Sequence, residues 1–262
     1  MSSHPTLPPY PTGKNLLAGK SVLITAAAGT GIGFATAQRC AEEGATIIIS
    51  DIHERRLGEA AEALEKALGT RPTALLCNVT EEDQVQNLIA KAAEVTGGID
   101  ILVNNAGLGG TANLIDMTDD QWNSVLNVTL TGTMRCTRAA LNHMKERGGG
   151  VIVNNASVIG WRAQKGQSHY AAAKAGVMAL TRCAALEAAE FNIRVNAVAP
   201  SLAMHPYLSK VTTDELLEKL TKQEAFGRAA QPWEIANVIV FLASEYSSYM
   251  TGEIVSVSSQ RA

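Results

Sequence analysis

The run Val22-Leu23-Ile24-Thr25 is rich in β-formers and passes directly into Ala26-Ala27-Ala28-Gly29-Thr30-Gly31-Ile32-Gly33, after which Phe34 to Glu43 is helical in character. A second β-rich run, Ala45 to Ser50, follows and ends at Asp51. This order of strand, glycine loop, helix and strand constrains the fold more than any other feature of the chain. Strands joined through a crossover helix form a parallel sheet with right-handed connections and helices on both faces. Helical patterns at residues 31–43, 53–68, 81–96, 118–147, 170–190 and 231–244 alternate with strand-like runs. The fold class predicted is therefore α/β, a single-domain doubly wound parallel sheet spanning residues 17–262, preceded by a Pro-rich arm at residues 1–16 read as a flexible or oligomer-docking extension. Gly148-Gly149-Gly150 marks a turn before a strand rather than a linker, and no internal repeat is present.

Glycines let the backbone come close to a pyrophosphate, and the helix that follows turns its unpaired N–H groups and positive dipole end toward the anion. Asp51 lies close to the offset of roughly twenty residues at which a carboxylate meets adenosine ribose hydroxyls. The bland alternative for Asp51 is a turn or helix N-cap residue. Further along, Tyr170-Ala171-Ala172-Ala173-Lys174 sets a phenol and an ammonium one helical turn apart on one face. A positive charge beside a phenol favours the phenolate, so the proton is expected to move nearer neutral pH than for an isolated tyrosine. Tyr-x-x-x-Lys alone is weak evidence; its surroundings give it weight.

Together these segments resemble the short-chain dehydrogenase/reductase family from about Leu17 to Val257, which implies the Rossmann form of the doubly wound sheet. Asp100 to Gly107 looks like the fourth strand and its Asn-Asn-Ala-Gly turn, Val151 to Ser157 like the fifth strand ending in a serine, and Arg194 to Pro200 like the sixth. The resemblance implies a catalytic set of Asn127, Ser157, Tyr170 and Lys174. Tyr170 is the expected acid–base group and Ser157 its partner on the substrate oxygen. Lys174 would tune the phenol and bind the nicotinamide ribose, while Asn127 would hold a relay water. The bland readings are a strand-end cap for Ser157 and a helix-kink residue for Asn127. The implied cofactor is NAD, lodged against Thr25, Gly29, Gly31, Ile32, Gly33, Asp51, Asn78, Val79, Asn105, Ala106, Gly107, Tyr170, Lys174 and Pro200. It also implies a homotetramer built through the 118–147 and 170–190 helices and the C-terminal segment.

Several departures stand out. Ala26 replaces the first loop glycine and one extra residue lengthens the loop, with Gly29 as a candidate compensation; Asn78 stands where an aspartate commonly meets the adenine. Ser201 replaces the glycine after Pro200, and His205 falls near the threonine that anchors the nicotinamide carboxamide. The unusual segments look like one subgroup, whose members act in bacterial breakdown of sterol rings on a hydroxylated bicyclic remnant carried as a coenzyme A thioester. The expected activity is hydride transfer between NAD(H) and a secondary alcohol or ketone, with specificity in the loop from about Leu202 to Phe226. There Thr213-Asp214-Glu215 resembles a helix start before Leu216, Leu217 and Leu220. The rival enzyme is an NADPH-dependent 3-oxoacyl thioester reductase, which Arg55 or Arg56 would support and the Asp51 carboxylate opposes. The other class is a dinucleotide-binding protein that has lost its chemistry, which an intact Ser157, Tyr170 and Lys174 disfavour.

Composition excludes more than it proposes. A net charge of −3 with 46% hydrophobic residues points away from a nucleic-acid surface. No apolar run reaches the roughly twenty residues of a membrane span, and residues 1–12 lack a signal-peptide core, so the expected compartment is the cytoplasm. Cys40, Cys77, Cys136 and Cys183 are scattered singly and expected to be buried thiols, and the five histidines show no metal-ligand spacing, so no metal is predicted.

Overall fold

The computed structural model describes residues 7–204 and 214–259. Seven strands, β1 (Ser21–Ile24), β2 (Thr46–Asp51), β3 (Thr73–Leu76), β4 (Ile101–Asn104), β5 (Gly150–Asn155), β6 (Ile193–Pro200) and β7 (Ile254–Val257), make one sheet in the order β3-β2-β1-β4-β5-β6-β7. Every neighbouring pair is parallel. The helices are α1 (Ile32–Glu42), α2 (Glu54–Leu68), α3 (Glu82–Thr96), α4 (Asp119–Leu126), α5 (Gly132–Arg147), α6 (Ser168–Ala188), α7 (Asp214–Gln223) and α8 (Pro232–Ala243).

Side chains alternate across a strand, so a run that is apolar at every position needs cover on both faces. Val22, Ile24, Ile47, Ile49, Ile101 and Val103 pack on one face with residues of α1, α2 and α8, among them Ala37, Leu64 and Ile239. Leu23, Ile48, Leu102 and Ile152 pack on the other with residues of α3, α5 and α6, among them Leu88, Met144 and Ala185. Strand order reverses between β1 and β4, which opens a crevice at the carboxyl ends of these two strands. The glycine loop leaves β1 there, beside the Asn105 to Gly107 turn that follows β4.

Three expectations are corrected, the exposure of Cys183 among them. The 118–147 stretch is not one helix: α4, capped at Thr118 by a reciprocal hydrogen-bond pair with Gln121, gives way to a π-helical turn at Asn127–Thr131 before α5 begins. Gly132 sits at that junction because a Cβ there would meet Val79 Cγ2 at 2.7 Å. The arm at residues 1–16 is not free along its described part. Tyr10 donates to Glu42 at 2.8 Å and packs edge-on against Trp233 with ring centroids 5.4 Å apart. The Lys14 and Leu16 amides donate to Glu43 Oε2 at 2.7 and 3.2 Å. Burial alone would raise the Glu43 pKa, but these two amides and the Arg39 guanidinium outweigh it and hold the carboxyl below its ordinary range. The arm thus supplies donors that a buried carboxylate requires.

Cys40, Cys77 and Cys136 are buried, as expected, whereas Cys183 is exposed on α6. Among the described residues no helix is long and apolar enough to cross a membrane, and no group of His, Cys, Asp or Glu is arranged to hold a metal ion.

Candidate active site

The glycine loop is shaped by close backbone approaches. A Cβ on Gly33 would lie 2.5 Å from Asn105 Nδ2 and 2.6 Å from the Ala26 carbonyl oxygen, so only glycine lets α1 start this close to the β4 turn. Gly29 has φ +109°, a conformation glycine adopts without strain, and Ala26 takes φ +50°, a left-handed position that costs a residue with a Cβ roughly 1–2 kcal/mol. Gly31 is the N-cap of α1 and Ile32 its first residue; no side chain caps this end, so its first amides face outward as an anion cradle.

Thr25 closes the loop on its other side. Its hydroxyl accepts from the Asn105 and Ala106 amides at 3.0 and 3.1 Å, fastening the end of β1 to the turn after β4. Asn105 Nδ2 donates to the Thr25 and Ala26 carbonyls at 3.2 and 3.0 Å. Asp51, at the end of β2, accepts from the Ala28 and His53 amides at 3.3 and 3.0 Å. Burial raises its pKa, opposed by the Ala28 amide and by the charge of Arg56. Arg55 is paired with Glu59 on the exposed face of α2.

Ser157 ends the loop after β5 and caps the short turn that follows, while Tyr170 and Lys174 lie on the first turns of α6. The Ser157 hydroxyl acts on the Tyr170 phenol, opposing the rise of its pKa, and Lys174 Nζ lies 5.5 Å from the centre of the Tyr170 ring. Lys174 is buried and donates to the Asn155 carbonyl at 2.5 Å. Topology therefore brings together one residue from the edge of β5 and two from a helix that begins eleven residues later.

The charge balance differs from the sequence expectation. Burial pushes the Tyr170 phenol up to about 12 against the lowering effect of Ser157, rather than down toward neutrality. Burial likewise brings Lys174 down to about 8, because an ammonium loses more on leaving water than one carbonyl returns. Proximity on a helix face was readable from the spacing; the desolvation of both groups was not.

Asn127 is also misplaced by the sequence reading. It is exposed and accepts from Arg135 Nη1 at 3.0 Å, so the π turn carries its side chain away from Ser157, Tyr170 and Lys174. Asn78 Oδ1 is taken by Thr80, accepting from its amide and its hydroxyl at 3.1 and 2.9 Å, an Asx turn that leads into α3. The Val79 side chain is in the core. Gly107 is exposed and Pro200 is buried at the end of β6. His205 and Thr213, with residues 205–213 of the expected specificity loop, lie outside the described residues. His169 is buried against Gly110 and lines a cavity of about 310 Å³ with Leu108, Gln121 and Val125.

Two residues escaped the sequence reading altogether. Asn155 donates from Nδ2 to Asn105 Oδ1 at 2.9 Å and holds Lys174 through its carbonyl, so it links the glycine loop to the lysine; its own Oδ1 is buried with no hydrogen-bond partner. The signal was present as a polar Asn154-Asn155 pair at the end of an apolar strand. Glu224 is buried and accepts from Ser201 Oγ, Ser259 Oγ and the Leu202 amide at 3.2, 2.7 and 3.4 Å, tying the exit of β6 to the chain after β7. Nothing in its neighbourhood along the chain announces that role.

Residues 26–259 match the enoyl-(acyl carrier protein) reductase family. The chain is 60% identical over 250 residues, 95% of each protein, to the (5R,7aS)-5-hydroxy-7a-methyl-1-oxo-2,3,5,6,7,7a-hexahydro-1H-indene-carboxyl-CoA reductase of Mycobacterium tuberculosis. It is 41% identical over 241 residues, 92% of this chain and 97% of the other, to a 3-oxoacyl-[acyl-carrier-protein] reductase of Thermotoga maritima. Among solved structures, a short chain dehydrogenase from Mycobacterium smegmatis superposes with a TM-score of 0.87 at 58% identity, covering 98% of this chain and 99% of that one.

Proposed function

This chain belongs to the short-chain dehydrogenase/reductase family, and from that membership we propose that it moves hydride between NAD(H) and a secondary alcohol or ketone on a bicyclic ring carried as a coenzyme A thioester. The single observation that carries the chemistry is the buried Lys174, tied to the Asn155 carbonyl with its ammonium 5.5 Å from the Tyr170 ring, beside Ser157 at the carboxyl edge of the sheet. The ring thioester is favoured by the high identity to the Mycobacterium tuberculosis reductase along almost the whole of both chains.

The residues present suit a dinucleotide. The uncapped start of α1 and the bare Gly33 accommodate a pyrophosphate, Asp51 ends β2 where ribose hydroxyls are met, and the orphaned Asn155 Oδ1 offers an acceptor deep in the same crevice. A bound nicotinamide supplies the hydride chemistry. The protein handles the proton and the charge. Tyr170, held above its ordinary pKa, is protonated at neutral pH and donates to the oxygen of a carbonyl becoming an alcohol. Ser157 would donate to the same oxygen, and the buried Lys174 ammonium, 5.5 Å from the Tyr170 ring, would favour negative charge that develops there.

NAD(H) is the expected cofactor over NADP(H), because the Asp51 carboxylate at the end of β2 would accept from adenosine ribose hydroxyls and would repel a 2′-phosphate there. The test is turnover of the hydroxyindane thioester and of a 3-oxoacyl thioester with each cofactor, for the unaltered protein and for Asp51→Ala. NADH and the ring substrate should give the higher kcat/KM, and Asp51→Ala should narrow the cofactor ratio by tenfold or so, about the effect of one charged contact worth 1.4 kcal/mol. The second reading, an NADPH-dependent 3-oxoacyl thioester reductase, is favoured by the Thermotoga maritima relative and by Arg56 beside Asp51. Comparable or better efficiency with NADPH would replace the first reading by the second.

A further inference from the structure

Donors from two separate segments converge on one buried side chain. Glu224 follows α7 and accepts from Ser201 Oγ and the Leu202 amide just beyond β6, and from Ser259 Oγ just beyond β7. The backbone repeats the tie, since the Ala225 amide donates to the Ser259 carbonyl at 2.9 Å and the Ser201 amide to the Val257 carbonyl at 3.2 Å. Ala230 holds the same exit: its amide donates to the Leu202 carbonyl at 2.8 Å and its carbonyl accepts from the Met204 amide at 2.9 Å. Strand register fixes what this segment borders. β5 and β6 pair Asn155 with Val198, so two residues beyond that pair stand Ser157 on one chain and Pro200 on the other, and Pro200 is paired in turn with Val257 of β7. Residues 201–204 therefore leave the sheet beside Ser157. Met204 and Phe226, one on each clamped segment, expose apolar side chains, surface of the kind a hydrophobic ring covers on binding.

We propose that Glu224 is a positioning residue for the substrate: its carboxylate fixes the Ser201–Met204 segment as one wall of the crevice beside Ser157. The proposal rests on the ring-thioester reading above and names what sets that ring's wall. A rigid bicyclic ring cannot adjust its shape to a wall that moves, so its affinity depends on how firmly the wall is set before it arrives. A buried carboxylate is costly without donors, and two hydroxyls and an amide supply them from segments that the sheet leaves only side by side. Glu224 transfers neither proton nor hydride. Its loss should be felt in KM for the ring substrate more than in kcat, and little in NADH affinity, because Gly33 and Asp51 follow β1 and β2, which lie across β4 and β5 from β6.

Glu224→Ala tests this by removing the acceptor of all these bonds, whereas Glu224→Gln keeps the length and one carbonyl oxygen, and its amide can donate to either hydroxyl. Ser259→Ala cuts one bond alone. Glu234→Ala is the structural control, for it breaks the two-bonded Arg228 pair at the start of α8 and leaves the clamp intact. For each variant, KM and kcat with the hydroxyindane thioester, a direct NADH titration and the melting temperature are measured, the kinetics well below the lowest Tm. Alanine at position 224 should raise KM roughly tenfold, lower kcat by no more than about threefold and leave NADH affinity within about twofold of the parent, with glutamine recovering most of the loss. Ser259→Ala should raise KM about threefold and add nothing in the Glu224→Ala background, since both remove the same bond. The proposal is overturned if Glu224→Ala leaves KM as in the parent, if Ser259→Ala adds its full effect to it, or if Glu234→Ala raises KM as far. Should Glu224→Ala fail to fold, Ser259→Ala carries the test, and an unchanged KM there overturns the proposal. A parent that does not turn over the ring thioester removes the reading above and this proposal with it; a parent that does, with variants that match it, removes this proposal alone.

Discussion

Tyr170 and Lys174 share a helix face, but what they do is decided by how dry that face is. With the phenol at about 12 and the ammonium at about 8, the resting site at neutral pH holds a neutral acid beside a charged lysine. Tyr170→Phe should keep the fold and NADH binding and lower kcat by about 10²–10⁴-fold, the usual contribution of general acid–base catalysis. Steady-state assay beside a cofactor titration checks this, and near-normal turnover would move the proton donor elsewhere, with the buried His169 as the next suspect. Lys174 makes a second prediction, about pH. Its folded pKa of about 8 lies below the ordinary 10.5, so between those values the unfolded chain keeps a proton that the folded chain has lost. The unfolded state binds more protons there, and stability must rise with pH across that window. Lys174→Met should abolish the rise in denaturant titrations and remove an inflection near pH 8 from the kcat/KM profile; an unchanged profile would show that another group titrates there.

At the scale of elements, polar side chains join pieces that the apolar core leaves only adjacent. Thr25 and Asn105 couple β1 to the β4 turn, Asn155 couples that turn to α6, and Glu224 couples the exit of β6 to the segment beyond β7. The N-terminal arm belongs to the same class of device, because Tyr10 and the Lys14 and Leu16 amides meet Glu42 and Glu43 at the end of α1. Deleting residues 1–16 should therefore destabilise the domain by roughly 2–3 kcal/mol, given typical losses for hydrogen bonds to a charged group and one aromatic contact. Melting temperature reports the loss, and NADH affinity should change little since α1 binds through its opposite end. A flexible arm would come away at no cost.

Over the whole molecule, the surface retains large apolar residues that the domain itself does not cover. Leu186 on α6, Phe241 on α8 and the nearby Tyr246 and Tyr249 are exposed, Tyr249 completely. Exposed apolar side chains on a domain surface are candidates for an association surface. A homotetramer using α6 and the C-terminal segment would cover them, and light scattering at micromolar concentration should return four times the 27.6 kDa chain mass. Tyr249→Asp, placing a charge at the most exposed of these side chains, should shift the distribution to smaller species. A monomer throughout would leave these residues without that explanation.

Local order along the chain was enough for the β1-loop-α1-β2 unit, for Gly33, for Asp51 at the end of its strand and for the succession of Ser157, Tyr170 and Lys174, because each depends on spacing over a few residues. It was enough, too, for a parallel sheet covered on both faces, since apolar strands separated by helices have few other solutions. Only the tertiary structure decided which side of the 118–147 segment faces inward, because a single π turn shifts every later side chain and no residue type in Asn127-Val128-Thr129 encodes it. Only the tertiary structure decided that Asn155 and Glu224 hold distant segments, since their partners lie 19 to 50 and 22 to 35 residues away. The ionisation of Tyr170 and Lys174 belongs with these. A pKa is set by the water a group has lost and the partners it has gained, and both quantities exist only once the chain has folded around it.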